Sequence, residues 1–132
     1  MTTVVQVNAK AREEWEADPS FVYVGRAARG GWKNSIWGNP FKVSRDSLMF
    51  VGPRPPAWTP AMKRIATQQA VAMFAGCVMS SDIEPWTTMR ARLHELCGKT
   101  LGCWCGDWKP GDPEILCHAV VLAKLANALE VQ

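Results

Sequence analysis

The chain has 132 residues, of which 48% are hydrophobic and 20% charged, and its formal net charge is +3. That length suits one domain, residues 1–132, with a single core, and the composition excludes a disordered chain. No run approaches the length of a membrane span, and Met1 to Lys10 lacks the basic flank and apolar core of a secretory signal. A cytoplasmic protein is expected, and its five cysteines read as thiols or metal ligands.

Thr3 to Val7 is a β-branched run that predicts a short strand. Lys10 to Asp18 is charged and predicts a short helix, interrupted by Pro19. Phe21 to Val24 predicts a buried strand ended by Gly25, and Arg26 to Pro40, with Gly30, Gly31 and Gly38, predicts a loop. Phe41 to Val43 is a candidate short strand, and Pro53, Pro55 and Pro56 mark an extended connection. Thr59 as cap and Pro60 at the first position open a helix. Its apolar positions are Met62, Ile65, Ala66, Ala70, Met73, Phe74, Cys77 and Val78.

A second helix starts at Pro85, with Met89, Leu93, Leu96 and Cys97 on one side and Gly98 as its stop. Lys99 to Cys105 predicts a strand. Asp112 and Pro113 open a last helix, whose apolar side is Ile115, Leu116, Ala119, Val120, Leu122 and Leu125. This order predicts an α/β (or α+β) fold: a small single-layer sheet, partly parallel, packed with about three helices.

The charge is unevenly placed. Between Gly25 and Arg64, eight basic residues face only Asp46, a balance of +7 against −4 for the remainder. An anionic ligand at this segment is one reading, and a solvated basic surface is the other. The loop itself sharpens the first reading. A strand ending in Gly25, followed by Arg26, Arg29, Gly30 and Gly31, has the makings of a phosphate cradle. Trp32, Trp37 and Asn39 flank it, and aromatics among cations stack bases. Trp37 and Phe41 as a roof over the core is the plainer alternative. Glu13, Glu14 and Glu16 read as a solvated face, as does His94.

The strongest local signal is Gly102-Cys103-Trp104-Cys105 followed, after an eleven-residue gap, by Cys117-His118. On a strand, Cys103 and Cys105 share a face. Three thiolates and an imidazole at Cys103, Cys105, Cys117 and His118 suit tetrahedral zinc. Adjacent helical side chains point about 100° apart, so Cys117 and His118 seldom ligate one ion together. In a second reading Cys117, favoured as a thiolate by the helix start, is a catalytic nucleophile with His118 or His94 as its base, or Cys103 and Cys105 form a redox pair, strained as a Cys-x-Cys disulfide is. Plain packing of buried cysteines is the third, and it is the reading for Cys77 and Cys97.

The ordered set Val22-Tyr23-Val24-Gly25-Arg26, Ser35-Ile36-Trp37-Gly38-Asn39-Pro40-Phe41, Leu101-Gly102-Cys103-Trp104-Cys105 and Cys117-His118 resembles the bacterial and phage family called domain of unknown function 4326. The resemblance covers Phe21 to Asn127. It implies a small single-domain protein and supplies no reaction.

Two functions are expected from these residues. One is a protein that binds a nucleotide or nucleic acid through the Gly/Arg loop, with a zinc or thiol centre and a role in nucleotide or nucleic-acid modification. The other is a non-enzymatic phage factor that binds a host protein through exposed tryptophans, its cysteines structural. If strands Phe21 to Val24 and Lys99 to Cys105 are parallel neighbours, loop and cysteines meet at one sheet edge, where α/β proteins place ligands.

Overall fold

The computed structural model describes residues 1–8, 10–28, 30–41, 59–103 and 117–131. Three strands, β1 (Thr3–Gln6), β2 (Phe21–Tyr23) and β3 (Thr100–Cys103), form one parallel sheet in the order β1-β3-β2. Val4 and Val22 both lie opposite Leu101, so the last strand in sequence fills the centre. Leu101, Gly102 and Cys103 are all buried. An apolar run without alternation is what a strand covered on both faces requires.

Four α-helices complete the described fold: α1 (Arg12–Glu16), α2 (Pro60–Ser80), α3 (Trp86–Arg92) and α4 (His118–Val131). Thr59 caps α2 as its sequence predicts, its Oγ1 accepting the Met62 N–H at 3.2 Å. After α3 the chain tightens into a 3₁₀ turn, Leu93–Leu96, and Gly98 leaves it at φ +73°. Helix α4 lies across β1 and β3 and packs against α2. Between sheet and helices sits the core, built around Leu101, Val24, Phe74, Trp86, Met89 and Leu122.

A period of two sends Phe21, Tyr23 and Gly102 to the opposite face. There Trp15 of α1 stacks on Phe21 with ring centres 5.1 Å apart, and Trp32 stacks on Tyr23 at 4.4 Å. Gly102 makes this layer possible. A Cβ at that position would sit 2.5 Å from the Phe21 ring and 2.8 Å from Val7.

The architecture agrees with the α/β expectation, and two details differ. Ile65 and Met73, expected on the core side of α2, are 49% and 50% exposed. The buried stripe is narrower, Ala66, Ala70, Phe74 and Val78, because a single line at spacing four meets the neighbouring helices. The last helix begins at His118, later than the Asp112-Pro113 signal suggests. Positions 112–116, with Lys42, Val43 and the Pro53–Pro56 connection, lie outside the described residues. No helix among the described residues is long and apolar enough to cross a membrane.

Candidate functional site at the carboxyl edge of the sheet

Because β2 and β3 are parallel, both end at the same edge. The Val24 N–H donates to the Gly102 carbonyl at 2.9 Å, which carries the pairing one residue past β2. Val24 and Cys103 are therefore neighbours at the point where each chain leaves the sheet. The start of α4 comes to the same place. Cys117 Sγ lies 2.6 Å from Cys103 Sγ, and His118 Nε2 lies 2.7 Å from the Val24 carbonyl oxygen.

Consecutive residues at the start of α4 thus face different partners, as the angle between neighbouring helical side chains requires. Cys117 turns to Cys103, and its sulfur also accepts the Ala119 N–H at 3.4 Å, capping the helix. His118 turns to β2, with its ring edge-on to Phe74 at 5.1 Å. A carbonyl can only accept, so Nε2 carries the proton, and in the neutral ring Nδ1 holds the lone pair. Cys103 and Cys117 are wholly buried and His118 is 4% exposed.

This arrangement bears on a metal. A histidine that donates one ring N–H to a backbone carbonyl is oriented as metal-ligating histidines usually are. Two adjoining buried sulfurs supply donors that zinc favours. Among the described residues no group of three or more metal-ligating side chains comes together. Cys105, the remaining member of the expected set, lies outside the described residues. Of the expected set, Cys103 and Cys117 adjoin and His118 turns to the Val24 carbonyl instead, so the described residues bring two of the four donors together.

On the other side of the edge, the loop that follows β2 is tied down by its own polar residues. Ser35 N–H donates to the Gly25 carbonyl at 3.0 Å, and Asn34 Oδ1 accepts the Ala27 N–H at 2.7 Å. The Tyr23 hydroxyl donates to the Arg26 carbonyl. Gly30 and Gly31 stand at φ +85° and +86°, which only glycine adopts freely. From α1, Arg12 Nε reaches over to donate to the Gly30 carbonyl at 2.6 Å. The loop is consequently a shaped segment with Arg26 exposed on it. Arg29 lies outside the described residues.

The two tryptophans of the loop are walls rather than open faces. Trp32 is 2% exposed, stacked on Tyr23, and its Nε1 donates to the Asn8 carbonyl at 2.9 Å. Trp37 is 4% exposed and belongs to the core, and Phe41 stacks beside Trp86 at 5.9 Å. Asn39 is buried, with its Nδ2 donating to the Ala70 carbonyl at 3.2 Å and its Oδ1 accepting the Phe41 N–H. His94 is exposed on the 3₁₀ turn. Sequence reasoning gave Arg12, Tyr23 and Phe74 no part in this site. Asn34 and Ser35 carried a signal, since such residues fold Gly-rich loops back on their own backbone.

The chain matches the family described as a domain of unknown function (DUF4326) over residues 7–128. It belongs to that family. The match takes in β2, the loop after it, β3 and the start of α4, so every part of this edge lies within the family's domain. No curated protein and no solved structure matches the chain.

Proposed function

We propose that this protein binds a nucleotide or nucleic acid at the carboxyl edge of its sheet and acts in the cytoplasm in nucleotide or nucleic-acid modification. The observation that carries this reading is the His118 Nε2 contact with the Val24 carbonyl, because it joins the end of β2 to the cysteine pair. Arg26 and Arg29 would take phosphate oxygens, with the backbone around Gly25, Gly30 and Gly31 allowing close approach. Trp32, Trp37 and Asn39 would hold that loop in shape. The +7 balance between Gly25 and Arg64 supplies a field that draws anions to this half of the chain.

Cys103, Cys105, Cys117 and His118 form the proposed centre. A zinc ion held by all four would be closed and structural; only with His118 off the metal would a fourth position be open to an activated water next to the ligand. His118 would be kept in one tautomer by the Val24 carbonyl. As a free thiol, Cys117 at the start of α4 would have its negative form favoured by the helix N-terminus and opposed by full burial, so acting as a nucleophile would need this edge to open. The test is direct titration of single-stranded DNA, single-stranded RNA and nucleoside triphosphates. Affinity for one of them should fall as salt rises, because phosphate contacts release or screen counterions. Absence of binding to all three at low ionic strength contradicts the proposal.

A further inference from the structure

The loop after β2 carries a tight turn with two glycines at its tip. The Ala28 N–H donates to the Trp32 carbonyl at 3.1 Å and closes the turn around Gly30 and Gly31. Successive glycines at positive φ have little conformational preference of their own, so such a tip samples many shapes unless something outside fixes it. The fixing group comes from α1. Arg12 Nε donates to the Gly30 carbonyl at 2.6 Å, and the guanidinium lies against the bare Cα of Gly31. A Cβ at Gly31 would sit 2.9 Å from Nε and 3.1 Å from Cζ, and would displace it.

Arg12 is itself held before it reaches the loop. Glu16, one turn along α1, accepts from Nη1 at 2.8 Å, so the guanidinium is gripped on two edges. The stem of the turn is tied to the same part of the chain. Trp32 Nε1 donates to the Asn8 carbonyl at 2.9 Å, and Asn8 Oδ1 accepts the Lys10 and Ala11 N–H groups at the approach to α1. Tip and stem of the glycine turn therefore both rest on residues that lead into and open α1.

We propose that Arg12 is the positioning residue of this loop, holding the Gly30-Gly31 backbone in the shape that receives a phosphate. The inference rests on the reading that the loop takes a phosphate-bearing ligand, and adds what keeps the loop ready for it. Arg12 acts through Gly30 rather than on the ligand, because Glu16 already answers its charge. Without the Nε bond the tip would be competent for only a fraction of the time, and the apparent affinity falls by that fraction. A hydrogen bond from a charged group shifts such a balance on the order of tenfold. The loss falls on the association rate, since a ligand seated on the competent loop leaves as before. Loss of a phosphate contact instead speeds dissociation.

The experiment is stopped-flow binding of single-stranded DNA, single-stranded RNA and a nucleoside triphosphate to the full chain, with circular dichroism as the check on folding. The main variant combines Arg12→Ala with Glu16→Ala, which leaves the net charge, and so the steering of the ligand, unchanged. With the probe that binds the wild type, it should associate on the order of tenfold more slowly and dissociate at the wild-type rate. Arg12→Lys, which keeps a donor on a long stem, should recover part of the association rate. Arg26→Ala should dissociate faster. The slope of log affinity against log salt should stay at the wild-type value in the main variant and become shallower by about 1 in Arg26→Ala. A main variant that binds like wild type, or that loses affinity through faster dissociation or a shallower slope, overturns the positioning role and leaves the phosphate reading standing. A wild type that binds none of the three probes overturns both. Should the main variant not fold, Arg12→Lys decides alone, by slower association at an unchanged dissociation rate, and wild-type rates in it overturn the proposal.

Discussion

His118 at the start of α4 reaches back 94 residues to hydrogen-bond the carbonyl of Val24 at 2.7 Å, just past the end of β2. The contact fixes the ring's tautomer and joins the Val24-Gly25-Arg26 strand end to the Cys117-His118 helix start. It is also buried, so its removal has a measurable cost. His118→Ala should destabilise the fold by about 1–3 kcal/mol from the stranded carbonyl alone, with further loss from the Phe74 contact. His118→Gln, which can present an N–H at a similar reach, should recover part of it. Urea unfolding of the three proteins checks the order, and equal stability of His118→Ala and wild type would count against the contact.

The cysteine cluster predicts metal content. Protein purified in reducing buffer without chelator should carry about one zinc per chain. Cys105→Ser and Cys103→Ser should each release it. Metal analysis finding no stoichiometric transition metal would leave Cys117 as a free thiol or a packing residue, and thiol titration would then separate those two.

Gly102 makes a prediction about the opposite face. Gly102→Ala would drive a methyl group to 2.5 Å from the Phe21 ring. Overpacking of this kind costs about 1–3 kcal/mol, and the displaced stack should change the near-ultraviolet signal of Trp15 and Trp32. Thermal unfolding checks the stability. A neutral outcome would mean that Phe21 moves freely, contrary to its stacking on Trp15.

Acid should weaken the start of α3. The Glu84 carboxylate accepts hydrogen bonds from Thr87 and Thr88, and these hold its pKa below the ordinary 4.5. A carboxylate depressed in the folded state stabilises above its unfolded pKa, and that contribution is lost as pH falls through the folded value. Glu84→Gln should therefore flatten the acid limb of the stability curve below about pH 4.5. An acid limb identical to wild type would contradict it.

Much of this edge is legible in the sequence, and the reasons differ residue by residue. Phe21 to Val24 and the run into Cys103 announce buried strands by unbroken apolar character, and Gly25 marks where the first one ends. Their parallel pairing is conditional in the sequence, and it is the register, with Tyr23 opposite Gly102, that settles it. Thr59-Pro60 announces α2 because a hydroxyl cap and a fixed φ are local chemistry. What α2 packs against is not local, which is why Ile65 and Met73 have the spacing of core residues and lie on the surface. Trp32 was open to a stacking role because nothing near it in sequence reveals that Tyr23, from a strand, already covers its ring. Among the described tryptophans, Trp32, Trp37 and Trp86 are buried and Trp15 is half-buried, while Trp58, Trp104 and Trp108 of the host-protein expectation lie outside the described residues. Arg12 escaped notice within a charged helix, where its bond to the Gly30 carbonyl has no sequence signature.

The measurement that bears most directly on the account is the affinity of the Arg26→Ala, Arg29→Ala pair for the tightest-binding nucleotide or oligonucleotide, beside its melting temperature. Each arginine lost from a phosphate removes a charge-assisted contact of about 1.5–3 kcal/mol, so affinity should fall by at least about tenfold. The melting temperature should stay at the wild-type value, since Arg26 is exposed. Unchanged affinity in a folded double variant would contradict a phosphate-bearing ligand at this edge of the sheet.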